Sequence, residues 1–452
     1  MASPEASRAA GVIRLAQYNC SRMAATADRL IVVILAALVL GLLRLVHASG
    51  AQVRVVPRAW LNMPQRADGA MPTRLSQTGA FADTRQLIPA AGLVSYELIE
   101  PFWSDGASKQ RWIAIPAVRI GFAPAGEWSF PAGTVFVKTF ELPVDDAHPE
   151  IKKRLETRLL VRAANGGVYG VVYKWRADNS DADLMDTSLT EQVGSHTWYY
   201  PSRQDCLQCH NARAGGVLGV NTRQMNRDDQ LRRWNQLGLF DPAIKDSEFA
   251  GLPKLAAMDD ASRSLEDRAR SYLDANCAQC HRPGGTVAYF DARYDTPLAQ
   301  QQLIDGPILI DQGIDHPYVI SPHDIWRSIA YMRINTDGDI RMPPLARQSV
   351  DQKGVALVGQ WIRSLPGRNV LDPPLISPAG GNYDHALEIT LQDSDPVADI
   401  RYTLDGSVPG KLDAQYQHPI RITTPTVLRA RAFRPGYTRS ITTQEAFIVG
   451  SQ

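Results

Sequence analysis

Cys206-Leu207-Gln208-Cys209-His210 and Cys277-Ala278-Gln279-Cys280-His281 are two copies of one pattern, Cys-x-x-Cys-His. In each, two thiols can add across the two vinyl groups on one edge of a porphyrin. The histidine that follows then falls under the metal as its proximal ligand. The expected cofactors are two covalently attached haem c groups, one held by Cys206, Cys209 and His210, the other by Cys277, Cys280 and His281. Two Cys-x-x-Cys pairs could instead close a four-cysteine zinc site, and a single pair could be a redox dithiol. Neither alternative asks for a histidine directly after both pairs.

Axial ligation sets what such an iron does. For the second iron the expected sixth ligand is Met342, in Arg341-Met342-Pro343-Pro344, where the prolines hold the loop extended and the thioether can face His281 across the metal. Thioether ligation favours ferrous iron and raises the potential; Met332 is the reserve. For the first iron Met225, 15 residues after His210, is preferred over Met185, Met258 and His196. A site left open to a small molecule is the alternative, since a methionine is more commonly a core residue. His148, His316, His323, His385 and His418 lie in loop-like sequence, and the acidic run from Asp178 to Asp183 lacks the glycine and terminal glutamate of an EF-hand. No Ser-His-Asp pattern, phosphate loop or dinucleotide fingerprint is visible.

Haem is joined to such motifs outside the cytoplasm, so an export signal is expected. Leu30 to Leu43 is an uncharged run of 14 residues between Arg29 and Arg44. A membrane span needs about 20. The run fits the apolar core of a signal peptide, with Val46-His47-Ala48 as cleavage pattern and Met23 as a possible true start. An uncleaved anchor is the competing reading of residues 1–48. Of five cysteines, four are in the two motifs and Cys20 precedes the signal core, leaving the exported chain no structural disulfide. The chain carries 48 basic and 47 acidic residues, and a nucleic-acid binder would be strongly basic.

The length implies several domains. Residues 49–86 read as a linker or wrapping arm, and 87–198 as a β-rich domain in which Ala164-Asn165-Gly166-Gly167 turns a hairpin between Arg154–Arg162 and Val168–Trp175. Trp103, Trp112, Trp128, Trp175 and Trp198 serve its packing. Residues 199–261 carry the first motif, with a helix expected over Arg227–Leu237. In 262–368, Ser264 caps a helix whose face is Leu265, Ala269, Tyr272 and Leu273, and Val355, Val358, Trp361, Ile362 and Leu365 form a second. Gly354 and Gly359 would let those two helices cross closely. Beyond Leu371-Asp372-Pro373-Pro374, residues 376–450 hold short strands at sandwich-like spacing. The expected class is thus multidomain α+β: an N-terminal β-rich domain, an α-helical cytochrome c-type dihaem region and a C-terminal immunoglobulin-like β-sandwich.

Residues 87–366 resemble a family of proteobacterial dihaem c-type cytochromes. The likeness is carried by Pro101-Phe102-Trp103-Ser104-Asp105-Gly106-Ala107, Phe130-Pro131-Ala132-Gly133-Thr134, Glu156-Thr157-Arg158-Leu159-Leu160, the run from Cys206 and Arg341-Met342-Pro343-Pro344-Leu345. It implies an exported electron-transfer protein. Ile400-Arg401-Tyr402-Thr403-Leu404-Asp405-Gly406-Ser407-Val408-Pro409 and the run from Leu428 to Phe433 resemble the small domain that ends chitobiase and β-hexosaminidase enzymes. That domain is an accessory module, so glycosidase activity does not follow.

The expected function is electron transfer in the periplasm, to or from a redox partner such as a dehydrogenase, an oxidase or a membrane cytochrome, rather than stand-alone catalysis. The alternatives are a peroxidase-like dihaem oxidoreductase with an open first iron, and a carbohydrate- or surface-binding protein acting through residues 376–450.

Overall fold

Alternation builds the largest sheet. Strands β1 (Leu93–Ser95), β2 (Ser108–Ala114), β3 (Val135–Pro143), β4 (Lys152–Arg162), β5 (Val168–Trp175) and β6 (Ala182–Met185) form an antiparallel meander in chain order. The β4–β5 turn closes as its sequence predicts, with Gly166 at φ 81°. On one face Val135, Val137, Leu159, Val161, Tyr169 and Val171 bury against Met63, Leu75, Phe81 and Leu87. The segment expected as a linker or arm therefore wraps this face, and the Tyr173 hydroxyl donates to Pro72 O at 2.9 Å. The computed structural model describes residues 57–286 and 289–450, so the expected signal segment, Met23 and Cys20 lie outside it. Among the described residues no helix is long and apolar enough to cross a membrane.

The opposite face of the sheet receives the first motif. Helix α1 (Arg203–Cys209) lies on β5, followed by α2 (Thr222–Met225) and α3 (Gln230–Gln236). A second core joins Phe136 and Ile113 of the sheet to Trp128, Val220, Trp234 and Phe240. Helix α4 (Leu265–Cys277) leads into the second motif, capped by Ser264, whose hydroxyl accepts the Asp267 N–H at 3.0 Å. It crosses α6 (Gln352–Ser364), and Ala269, Tyr272 and Leu273 bury against Val355, Val358, Trp361 and Ile362. A methyl on Gly354 would sit 2.3 Å from the Tyr272 ring, so the crossing needs that glycine. Gly359 faces Tyr331 of α5 (Ile329–Ile334) in the same way.

The expected fold class is corrected here. The motifs do not sit in an α-helical region: strand is the prevailing regular structure, and of six described α-helices only α4 and α6 reach 13 residues. The others have four to seven residues. The physical reason lies between Arg282 and Asp351, where Pro283, Gly284, Gly285, Pro297, Gly306, Pro307, Gly313, Pro317, Pro322, Pro343 and Pro344 break up the chain and no described helix is longer than α5. Buried loops hold this part together instead.

The clasp between the sheet and the second motif is the run from Pro101 to Ala107. Asp105, at φ 50°, accepts the N–H groups of Gln348 and Ser349, both at 2.8 Å. The Trp103 N–H donates to Asn276 Oδ1 at 2.8 Å, one residue before Cys277. At the C-terminus, a three-stranded sheet (Leu375–Ser377, Leu387–Gln392, Ile420–Ile422) and a five-stranded sheet share one core of Ile376, Ile389, Leu428, Ala430 and Phe447.

Candidate cofactor site

Helix α1 starts at a capping box. Ser202 and Asp205 exchange hydrogen bonds, the Ser202 hydroxyl accepting the Asp205 N–H at 3.2 Å and Asp205 accepting the Ser202 N–H at 2.9 Å. Its inner face can approach the sheet because β5 carries Gly170 there: a methyl on Gly170 would lie 2.9 Å from both Cβ and Sγ of Cys206. His210 follows the helix, its N–H donating to Cys206 O at 2.9 Å. Its ring Nδ1 lies 3.0 Å from Gly216 O, which Gly216 presents from a left-handed turn at φ 76°. A carbonyl only accepts, so Nδ1 carries the proton and Nε2 keeps its lone pair, the tautomer a metal-ligating histidine requires. Burial, helped by nearby Lys138, pushes His210 down to about 4, so the ring stays neutral at ordinary pH.

The second motif ends α4. The His281 N–H donates to Cys277 O at 2.9 Å, and its ring stacks on Phe290 with centroids 4.2 Å apart. Its buried Nδ1 has no hydrogen-bond partner among the described residues. Burial, with Arg333 adding to it, pushes His281 down to about 4.

Though 71 residues apart in the chain, the motifs meet. The Cys209 and Cys280 thiols lie close enough to influence one another, which lowers Cys280 to about 7 and raises Cys209. Around them Arg282 donates to Glu127 at 3.2 Å and Arg213 to Gly285 O at 3.3 Å. Buried Arg223 ties the first-motif segment to α4 through Asp274 at 3.0 Å and to Asp295 at 2.9 Å. All four thiols are free, and no cluster of three or more His, Cys, Asp or Glu suited to a metal ion occurs among the described residues. The tetrathiolate arrangement of a zinc site is therefore not formed here.

Between the sheet and the two motifs lies a cavity of about 190 Å³, lined by Cys206, Cys209 and His210 and floored by Phe136, Phe140 and Leu160. Lys109, Arg111, Lys138 and Arg158 also reach it, and Leu345 and Ala346, just beyond Pro344, close one side. The residues fit a covalently held porphyrin: an oriented neutral imidazole, thiols at an apolar wall, and a glycine that seats one thiol. The basic side chains were missed in the sequence, where a lysine or arginine at alternate strand positions looks like ordinary solvent-facing polarity.

The proposed sixth ligands lie as follows. Met225 is fully buried in the Trp128–Trp234 core, its sulfur accepting from Gln230 at 3.4 Å, and it does not line the cavity. Met342 is half-buried, with its N–H on Arg333 O at 2.9 Å, and it too lies off this cavity. His196 pairs with Asp146 at 3.1 Å. Met185 ends β6, Met258 donates its N–H to Glu100, and Met332 lies on α5.

Comparison with known families decides one part of the chain. Residues 378–444 match the chitobiase/beta-hexosaminidase C-terminal domain. That match covers the C-terminal module alone. No curated protein and no solved structure matches the chain. The chitobiase-type module is fixed to the rest through Asp315, which pairs with Arg327 at 3.1 Å and with the module's Arg431 and Arg439 at 3.4 and 3.1 Å.

Proposed function

We propose that the chain is an exported dihaem c-type cytochrome that passes electrons through two covalently bound haems to or from a periplasmic redox partner. The observation that carries this reading is the meeting of the two Cys-x-x-Cys-His motifs, thiol against thiol, beside a cavity into which His210 is set as a neutral, oriented imidazole. Haem c supplies an iron that cycles between ferric and ferrous states. The chain's own part is to hold and shield. Cys206 and Cys209 anchor one group and Cys277 and Cys280 the other, with His210 and His281 as proximal ligands and Met342 as the proposed sixth ligand of the second iron. The resemblance of residues 87–366 to dihaem cytochromes supports the same reading.

Intact mass and a pyridine haemochrome spectrum test it, on full-length protein exported with the c-type maturation machinery. Two covalent haems are expected in the wild type and one after Cys206→Ala/Cys209→Ala. A chain with no covalent haem and four titratable thiols would sink the proposal. A second reading, a dihaem oxidoreductase with an open first iron, is favoured by the cavity lining, in which His210 is the one imidazole and no methionine occurs among the described residues. Electron paramagnetic resonance separates the two. Low-spin signals from both haems support the carrier, and a persistent high-spin signal supports the oxidoreductase.

A further inference from the structure

The cavity floor carries a row of basic side chains, not all of which have a carboxylate partner. Strand register sets Arg111 of β2 opposite Lys138 of β3, and Lys138 opposite Arg158 of β4. The three side chains leave the same face of the sheet, and Lys109 lies two residues before Arg111 on that face. Like charges directly opposite on neighbouring strands are destabilising, and away from bulk water their repulsion is poorly screened.

The partners do not cancel it. Arg111 pairs with Glu97 at 3.1 Å and Arg158 with Glu156 at 2.6 Å. Lys109 donates to the Phe102 carbonyl at 2.8 Å, a neutral acceptor. Lys138 has no hydrogen-bond or ion-pair partner among the described residues and packs 5.1 Å from the Phe140 ring. The other carboxylates at the cavity are committed elsewhere: Asp274 to Arg223, Glu127 to Arg282, and Asp205 to the Ser202 cap and the Tyr199 hydroxyl. On this buried wall Arg111 and Arg158 each have a carboxylate partner, and Lys109 and Lys138 have none.

We propose that the Arg111–Lys138–Arg158 row is a carboxylate-binding site, and that its ligands are the two propionate groups of the haem joined to Cys206 and Cys209. This rests on the functional reading above. A haem c group is attached at its vinyl edge and carries two carboxylates on another edge, so it would bring acceptors to a row in which Lys138 has none. Cys206 is seated on Gly170 of β5, and Lys138 and Arg111 lie two and three strands further across the same face. At ordinary strand spacing that is about 10 and 14 Å, the breadth of a porphyrin. Arginine suits the task because its planar fork can bind a carboxylate through two hydrogen bonds. A free small carboxylate entering the cavity would present the same chemistry.

The test uses full-length protein carrying Lys138→Met, Arg158→Met, or the conservative Arg158→Lys, each matured with haem and, separately, produced without maturation. In the haem-free chain Lys138→Met should raise the melting temperature, because it removes an unpaired buried charge. In the matured chain two haems should remain by intact mass. Spectroelectrochemistry should then show the midpoint potential of one haem falling in Lys138→Met and Arg158→Met, with Arg158→Lys restoring it and the other haem unmoved. A saturable Soret shift of the wild type on titration with sodium acetate, lost in Lys138→Met, would assign the row to a free carboxylate instead. Two haems with unmoved potentials, no acetate response and a lowered haem-free melting temperature in Lys138→Met would overturn the proposal while leaving the functional reading intact. Absence of covalent haem from the wild type would overturn that reading and the propionate assignment with it.

Discussion

Gly170 gives Cys206 its seat, and a single methyl there is enough to lift α1 from β5. Alanine at this position would place its Cβ 2.9 Å from the cysteine's Cβ and sulfur. Overpacking of this kind costs about 1–3 kcal/mol. Gly170→Ala is expected to lower the denaturant midpoint and, on the proposed function, to reduce covalent haem at the first motif by mass through displacement of the thiol. Unchanged mass and midpoint would refute the role given to this glycine. Glu100 makes a different residue-scale case. It is 4% exposed, and burial raises its carboxyl to about 7 despite the hydrogen bond from the Met258 N–H at 2.8 Å. Because the folded value lies above the unfolded one, the stabilising contribution is full below the unfolded value of about 4.3. It is lost as pH rises through about 7. Glu100→Gln keeps an oxygen for Met258 and removes that loss. Thermal melts should show no gap between variant and wild type at acid pH, and a variant more stable by roughly 3–4 kcal/mol at pH 8. Equal stability at both pH values would show that Glu100 stays solvated.

At the scale of elements, what could be read from the sequence follows the range of the signal. Helices α4 and α6 were legible because apolar spacing of three and four residues lies within one short segment, and a local cap at Ser264 marks where α4 begins. The β4–β5 hairpin was legible for the same reason. The α-helical dihaem region was not borne out: between Arg282 and Asp351 burial comes from loops stitched by long-range bonds, such as those of Asp105 to Gln348 and Ser349, and no local pattern announces them. The cation row is hidden for a related reason. Arg111, Lys138 and Arg158 are unremarked alternate polar positions until pairing across three strands brings them into line. The role of Gly354 as a crossing point was visible, and it can be tested. Alanine gains about 1 kcal/mol of helix propensity over glycine, but its methyl would lie 2.3 Å from the Tyr272 ring. Gly354→Ala should therefore be destabilising by about 1–3 kcal/mol in urea unfolding. Combined with Tyr272→Ala, it should show a coupling of at least about 0.5 kcal/mol, since the second change removes the obstacle. Additive effects would mean that the helices do not cross through this pair.

For the whole molecule the question is whether the chitobiase-type module rides as a separate body or as part of the preceding chain. Asp315 decides it physically. It lies before α5, and its carboxylate is shared by Arg327 from the part that carries the two motifs and by Arg431 and Arg439 from the module. Arg327 also donates to the Ser440 carbonyl at 3.3 Å, and the Trp326 indole donates to Asp372 at 2.8 Å where the module begins. Burial works against the Asp315 charge, yet the three guanidiniums hold its carboxyl below the usual range. A depressed acid contributes stability that is present above its unfolded value and lost as pH falls through its folded one. The joint is thus strongest near neutrality and weakens in acid. With the carboxylate gone, Asp324 would still balance Arg327 at 2.8 Å, but Arg431 and Arg439 would face it across the joint without their counter-charge. Asp315→Ala is therefore expected to split one cooperative calorimetric transition at pH 7 into two, the module and the preceding part of the chain unfolding separately. Wild type should begin to show the same division as the pH is lowered into the depressed carboxylate range. A variant that still melts in one transition, at an unchanged temperature, would mean that the apolar contacts alone join the module to the chain.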